Sequence, residues 1–299
     1  MKKLLLASAV AAAIAAPTSV FAQAAAPAAA PASPHTFTAN VGLFTDYRFR
    51  GISQTNKEPA IQGGFDYSHS SGFYAGIWSS NVYGNQLAAG GPTYAGGSQE
   101  IDTYAGYKFG FGDFAFDVGF LRYWYPGAKW FIPTQEKFTN DEIYGSVNWK
   151  WFTAKYSYGL SNFFGYNQNT NGANFCGVSK NTPGIAYTPA NAPDGCAPAN
   201  GGSHGSGYLD LSGAWELAPT WNLQAHWGHQ WVANYGKFNY SDYKLGITKD
   251  WAGVTWGAAV IGTDGKKPFY RLVTTDGSGT FHETNTGDTT VVLSVTKTF

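Results

Sequence analysis

Along most of the chain, apolar and polar residues alternate with a period of two. Between residues 37 and 49 the odd positions are Phe37, Ala39, Val41, Leu43, Thr45, Tyr47 and Phe49, and the even ones are Thr38, Asn40, Gly42, Phe44, Asp46 and Arg48. Successive side chains of a strand point to opposite faces, so this pattern predicts a strand with one apolar and one mostly polar face. The pattern recurs. Ile61, Phe65 and Tyr67 alternate with Gln62, Asp66 and Ser68, and Ile101, Thr103, Ala105 and Tyr107 alternate with Glu100, Asp102, Tyr104 and Lys108. Ile143, Val147 and Trp149 alternate with Glu142, Tyr144, Asn148 and Lys150, and Leu209 and Leu211 alternate with Asp210 and Ser212. Similar segments surround 221–227, 243–248 and 290–299, less regular ones cover 73–81, 114–125 and 254–262, and 152–164 sets Tyr156, Tyr158 and Leu160 against Lys155 and Ser157. The sum is about twelve strands of roughly 9–13 residues. Strands of soluble sheets average about five or six residues, whereas a tilted strand crossing a bilayer needs about 9–11.

The connections alternate as well. Longer links at 51–58, 82–97, 126–140, 165–206, 232–241 and 263–288 take turns with tight ones near 69–72, 110–113, 150–151, 218–220 and 250–253. Short turns at one end and long loops at the other are the layout of an antiparallel up-and-down outer-membrane barrel, the short turns periplasmic and the long loops extracellular. Tyr47, Phe49, Tyr107, Phe109, Trp149, Trp215, Trp221, Trp227, Trp231, Trp251 and Phe299 fall toward strand ends on the apolar face, where such a barrel carries its aromatic girdles.

The first residues add the compartment. Lys2 and Lys3 precede an apolar run from Leu4 to Ala16, too short to span a bilayer, and Val20 and Ala22 fit a small-residue cleavage site. Residues 1–22 are therefore expected to be a signal peptide, 23–35 an Ala/Pro-rich linker and 36–299 the barrel. In an oxidising compartment Cys176 and Cys196 are expected to form a disulfide stapling the 165–206 loop.

Composition narrows the function. The chain has 19 basic and 19 acidic residues, and only 13% are charged against about 25% in soluble domains, while 17% are aromatic. A neutral, charge-poor chain lacks the basic surface that nucleic acid needs. No catalytic constellation stands out. There is no G-x-S-x-G elbow, His226 and His229 differ by three and so face opposite sides of a strand, and His204 and Ser206 fall in a Gly-rich loop. Asp264, Asp276 and Asp288 suit turns better than metal ligation, so neither a metal nor a cofactor is expected.

The stretch TANVGLFTDYRFRGISQTNKEPAIQGGFDYSHSSGFYAGIWSSNV at the start of the barrel, and EIDTYAGYKFGFGDFAFDVGFLRYWYPG over 100–127, resemble the TorF-type porin family of proteobacteria. The resemblance spans about 36–299 and implies an outer-membrane barrel with a pore, but no solute. The ending VVLSVTKTF, an alternating strand closed by Phe299, resembles the terminal strand of Gram-negative outer-membrane proteins, where the last aromatic residue signals to the assembly machinery.

The polar face should line the lumen. It carries the acidic residues Asp46, Asp66, Glu100, Asp102, Asp117, Glu142, Asp210, Glu216 and Asp242 and the basic residues Arg48, Arg50, Lys108, Lys150, Lys155 and Lys244. Twelve strands fall between a barrel filled by its side chains and one with an open channel. The expected function is passive diffusion of small polar solutes, with a weak cation preference from the acidic excess. Against selectivity stands the reading that these charges only pair and stiffen the wall. The alternatives are a non-conducting barrel that binds ligands or supports the surface, with the 165–206 loop either outside or folded in, and, third, an outer-membrane lipid hydrolase. Outer-membrane lipids, the assembly machinery and small polar solutes are the expected partners.

Overall fold

The computed structural model describes residues 33–83, 94–95, 97–130, 137–167, 201–266, 270–275 and 281–299. The expected signal peptide, most of the linker, and Cys176 and Cys196 with their disulfide lie outside the described residues.

Twelve long strands form the body. They are β1 (His35–Phe44), β2 (Ala60–His69), β3 (Phe73–Asn81), β4 (Gln99–Phe111), β5 (Phe114–Trp130) and β6 (Lys137–Trp149), then β7 (Phe152–Gly159), β8 (Gly207–Ala218), β9 (Trp221–Trp231), β10 (Tyr240–Trp251), β11 (Val254–Thr263) and β12 (Thr290–Thr298). Each pairs antiparallel with its sequence neighbour, and β12 returns to pair with β1, so the sheet closes on itself. At the seam Asn40 lies opposite Thr298 and Phe44 opposite Ser294. Phe299 finishes the seam, exchanging backbone hydrogen bonds of 2.8 and 3.2 Å with Ala39. A closed antiparallel barrel leaves no edge strand unpaired, which satisfies the backbone without help from water.

The period-two pattern sorts the faces as the sequence predicts over most strands. Phe37, Leu43, Ile61, Phe65, Val118, Leu245, Val291 and Leu293 are exposed on the outside. At the short-turn end this belt ends in Phe111, Phe114, Trp149, Trp151, Trp221 and Trp251, and toward the other end in Trp124, Tyr158, Trp231 and Tyr243. Buried side chains point inward, and many are polar: Gln62, Ser80, Glu100, Asp102, Asn140, Glu142, Lys155, Ser157, Gln224, Gln230 and Asp242.

Four expectations need correction. The first strand ends at Phe44, not at residue 49, and the link after it runs from Thr45 to Pro59. Tyr47 and Phe49, expected in the outer girdle, are 0% and 4% exposed inside the barrel. The alternation there is real, but it belongs to a separate piece of chain that turns inward. The strand expected over 152–164 stops at Gly159, and Phe163–Gly165 form a short 3-10 turn packed inside the mouth. Finally, β5 and β6 extend well into the expected 126–140 link, because the aromatic run Tyr123, Trp124 and Tyr125 keeps alternating inward and outward up to a bulge after Trp124.

Candidate functional site

The long-loop half of the lumen is occupied by the segment 45–59. Arg48–Phe49 pair antiparallel with Ile52–Ser53, leaving Arg50 and Gly51 as a two-residue turn. Both have positive φ, 45° and 78°, as the tightest hairpin turn requires. Glycine takes this geometry without strain, and a Cβ at position 51 would lie 2.5 Å from Thr263 Cγ2 and 2.6 Å from Asp242 Cβ, so the turn rests directly on the β10–β11 wall.

The residues of this hairpin are tied down one by one. Asp46 accepts from Arg48 Nε at 2.6 Å, from Ser53 Oγ at 2.7 Å and from Thr55 Oγ1 at 3.1 Å. Arg48 Nη1 donates to the carbonyls of Gly51, Thr286 and Asp288 at 2.9–3.1 Å, tying the hairpin to the link before β12. Arg50 crosses the lumen. Its Nη2 donates to both oxygens of Glu142 on β6, at 2.9 and 2.7 Å, and its Nη1 to Gln230 Oε1 on β9 at 2.6 Å. The guanidinium also lies 4.1 Å from the ring centroid of Tyr208 on β8. Burial alone would lower the Arg50 guanidinium, but the Glu142 carboxylate outweighs it and holds the group above its ordinary value. Because β6, β8 and β9 lie across the ring from β1 and β2, the hairpin spans the bore from wall to wall.

Aromatic rings complete the obstruction. Phe49 packs edge-on against Tyr123 and Phe164, with centroids 5.3 and 5.8 Å apart, and Tyr47 lies edge-on to Trp78 at 5.5 Å. Burial, and then the Glu100 carboxylate, push the Tyr47 phenol well up, so it stays a neutral hydroxyl. On the β10–β11 side a small cavity remains, lined by Asp46, Arg48, Gln62, Gln224, Lys244 and Ser294 among others.

The other inward charges meet partners across strands. Tyr104 donates to Asp66 at 2.5 Å and Tyr74 to Asp117 at 2.7 Å, with Tyr144 hydrogen-bonded to Tyr74. Lys108 and Lys155 sit over the rings of Tyr74 and Tyr144, at 4.8 and 3.9 Å. His226 lies between Asp210 and Asp242, at 3.2 and 2.8 Å, and Tyr208 donates to Asp242 at 2.8 Å.

The residues singled out from the sequence thus separate into groups. Asp66, Glu100, Asp102, Lys108, Asp117, Glu142, Lys155, Asp210, Asp242 and Lys244 stand on the inward face of barrel strands. Asp46, Arg48 and Arg50 also lie inside, but on the inserted hairpin and not on β1. Glu216 is exposed near the short-turn end of β8, and Lys150 occupies the tight turn between β6 and β7 with φ 55°. His226 was set aside because His229 faces the other way, yet its own face holds two aspartates. That grouping comes from cross-strand register, which a single strand pattern does not reveal. Ser206 Oγ donates to the Ser203 carbonyl, and the His204 ring lies against Tyr158, so these two do not face each other as nucleophile and base.

A comparison with known families matches residues 28–299 to Gcw_chp, a bacterial family of unknown function. The chain belongs to this family. No curated protein matches it in sequence. Among solved structures it is similar to the KdgM porin in complex with disordered oligogalacturonate (7% identity, 88% of this chain and 99% of that one, TM-score 0.45). It is also similar to the NanC porin (10% identity, 87% and 98%, TM-score 0.45) and, over 88% of this chain and 66% of that one, to OprD of Pseudomonas aeruginosa (9% identity, TM-score 0.35).

Proposed function

We propose that this chain is a porin-like channel of a Gram-negative outer membrane, for passive diffusion of small polar solutes, with its bore narrowed by the 45–59 hairpin. The observation that carries this reading is the division of the closed barrel into an apolar outside and a polar, hydrogen-bonded inside. An exposed apolar belt around the whole ring far exceeds the few hundred Å² usual on a soluble monomer, and lipid is the solvent that suits it. The signal-like N-terminus, the TorF-type resemblance and the aromatic-terminated last strand point the same way. The excess of acidic over basic groups on the inward face supports a weak preference for cations.

The seating of Arg50 across the bore favours a second reading, a barrel that does not conduct at rest and serves at the cell surface. Planar-bilayer recordings of refolded protein separate the two. Steps of reproducible size, with a reversal potential displaced toward cations in a salt gradient, support the channel. A silent bilayer with correctly folded protein supports the plugged barrel.

A further inference from the structure

The inward wall differs from one side of the ring to the other. On β3, β4 and β5 the glycines at 76, 106 and 119 lie under aromatic rings, and a Cβ at these positions would collide with Tyr104, Tyr74 and Tyr144 respectively. On β10 and β11 the side chains nearest the inward glycines at 246 and 257 are only Ala259 and Ser294. The small cavity beside the hairpin lies on that side, with Gly246, Gly257, Ala259 and Ser294 in its lining. Small residues leave room but select no ligand.

The polar members of the lining supply the selection. Gln62 of β2 and Gln224 of β9 are 5% and 8% exposed, and the amide nitrogen of each has no hydrogen-bond partner. Arg48, engaged through Nε and Nη1, keeps a buried Nη2 that is also without a partner. Asp46 is the one carboxylate of the lining among the described residues. Arg48, Ser53 and Thr55 occupy it, so the Asp46–Arg48 pair adds no net charge. Lys244 is left over. Its ammonium takes part in no ion pair among the described residues. It stands opposite His226 in the register of β9 and β10, but the aspartates there, Asp210 and Asp242, are held by His226 and Tyr208. Buried donors without acceptors cost free energy, and these adjoin one uncompensated positive charge. A planar group with one negative charge and two acceptor oxygens meets both needs.

We propose that Lys244, with Gln62, Gln224 and the free edge of Arg48, forms a subsite for the carboxylate of a small solute on the open β10–β12 side of the lumen. The proposal rests on the channel reading and names a solute class for it. It agrees with a weak overall preference for cations, because much of the acidic excess lies elsewhere: Asp66, Glu100, Asp102, Asp117 and Glu142 stand on β2, β4, β5 and β6. Those carboxylates act on mobile ions along the bore, and Lys244 acts on the group seated beside it.

The test places a thiol at the site as S294C and follows its reaction with methyl methanethiosulfonate, a small uncharged reagent, in refolded full-length protein in detergent. The mass of the peptide carrying position 294 gives the rate separately from Cys176 and Cys196. S294C should react, whereas S80C, at a position of β3 that is 2% exposed, should not. Sodium acetate at constant ionic strength should slow the S294C reaction in a saturable way, by about tenfold once about nine-tenths of the sites are filled. Acetamide, the uncharged analogue, should not slow it. K244Q should abolish the protection by acetate while the heat-dependent gel shift of the folded barrel persists. If S294C does not refold, A259C takes its place, since Ala259 lines the same cavity. An unreactive thiol at both positions in folded protein overturns the proposal, as does reaction at S80C as fast as at S294C. So does a failure of acetate to protect, equal protection by acetamide, or protection that persists in K244Q. Bilayer currents are read separately: protection that depends on Lys244, together with a silent bilayer, overturns the channel reading and keeps the subsite.

Discussion

The contact that most directly governs the bore is Arg50, and replacing it by alanine isolates its effect. Strand spacing of about 4.8 Å and a tilt of about 40° give a ring of twelve strands a backbone radius of about 12 Å. An inward layer of side chains about 5 Å deep would leave a lumen about 14 Å across if nothing else entered it. The hairpin occupies this space, held at its tip by three charge-assisted hydrogen bonds from Arg50. Truncating one partner of a buried pair costs about 3–5 kcal/mol, since the other charge is left behind. At 1.4 kcal/mol per factor of ten, the ratio of seated to unseated hairpin should fall by about two to three and a half powers of ten. R50A should therefore show larger single-channel steps and longer open times in planar bilayers. The double variant R50A/E142Q should recover part of the closed behaviour, because it no longer strands a carboxylate. Identical step size and dwell time in R50A and wild type would refute the claim that this contact holds the constriction.

Three further outcomes follow from the same structure. G51V should reproduce the open phenotype through collision with Thr263 and Asp242, while the heat-dependent gel shift of the barrel stays intact; loss of that shift would show that the hairpin is needed for folding. L245R, a charge on the outward face of β10 at a residue 56% exposed, should destabilise the protein in lipid vesicles by about 2–4 kcal/mol if the residue lies near mid-membrane, read as the midpoint of urea unfolding; an unshifted midpoint would argue that this face does not meet lipid. Deleting Phe299 removes two seam hydrogen bonds, worth about 0.5–1.5 kcal/mol each, and should lower the yield of assembled barrel in cells more than it lowers refolding in detergent; equal losses in both would count against a role as an assembly signal.

The strands were readable from the sequence because a barrel between lipid and water imposes the same two-residue rule on nearly every strand residue. Ile61, Phe65, Leu245 and Leu293 obey it without tertiary information. The inserted hairpin was not readable in the same way. Residues 45–49 continue the alternation of β1, so the pattern carries no mark where the wall ends. The available signal was local: a glycine at position 51 between Phe49 and Ile52, flanked by charged and polar residues, suits a tight turn better than a long loop. The inward charges were found by face, but their partners were not. The grouping of Asp210 with His226 and Asp242 joins residues 16 positions apart through the register of three neighbouring strands, and that of Arg50 with Glu142 joins residues 92 positions apart across the lumen.

The partners of Arg48 have a consequence for how the protein is built. Its guanidinium is held by carbonyls 238 and 240 residues further along the chain, just ahead of β12. Those carbonyls take their places only when the last strand has met the first. Contacts of such long sequence separation form late, after the loop entropy they enclose has been overcome. The hairpin thus has no complete seat in a barrel whose seam is still open. The Arg48 end of the constriction is tied to closure of the wall, while its Arg50 end is tied to the opposite side of the ring.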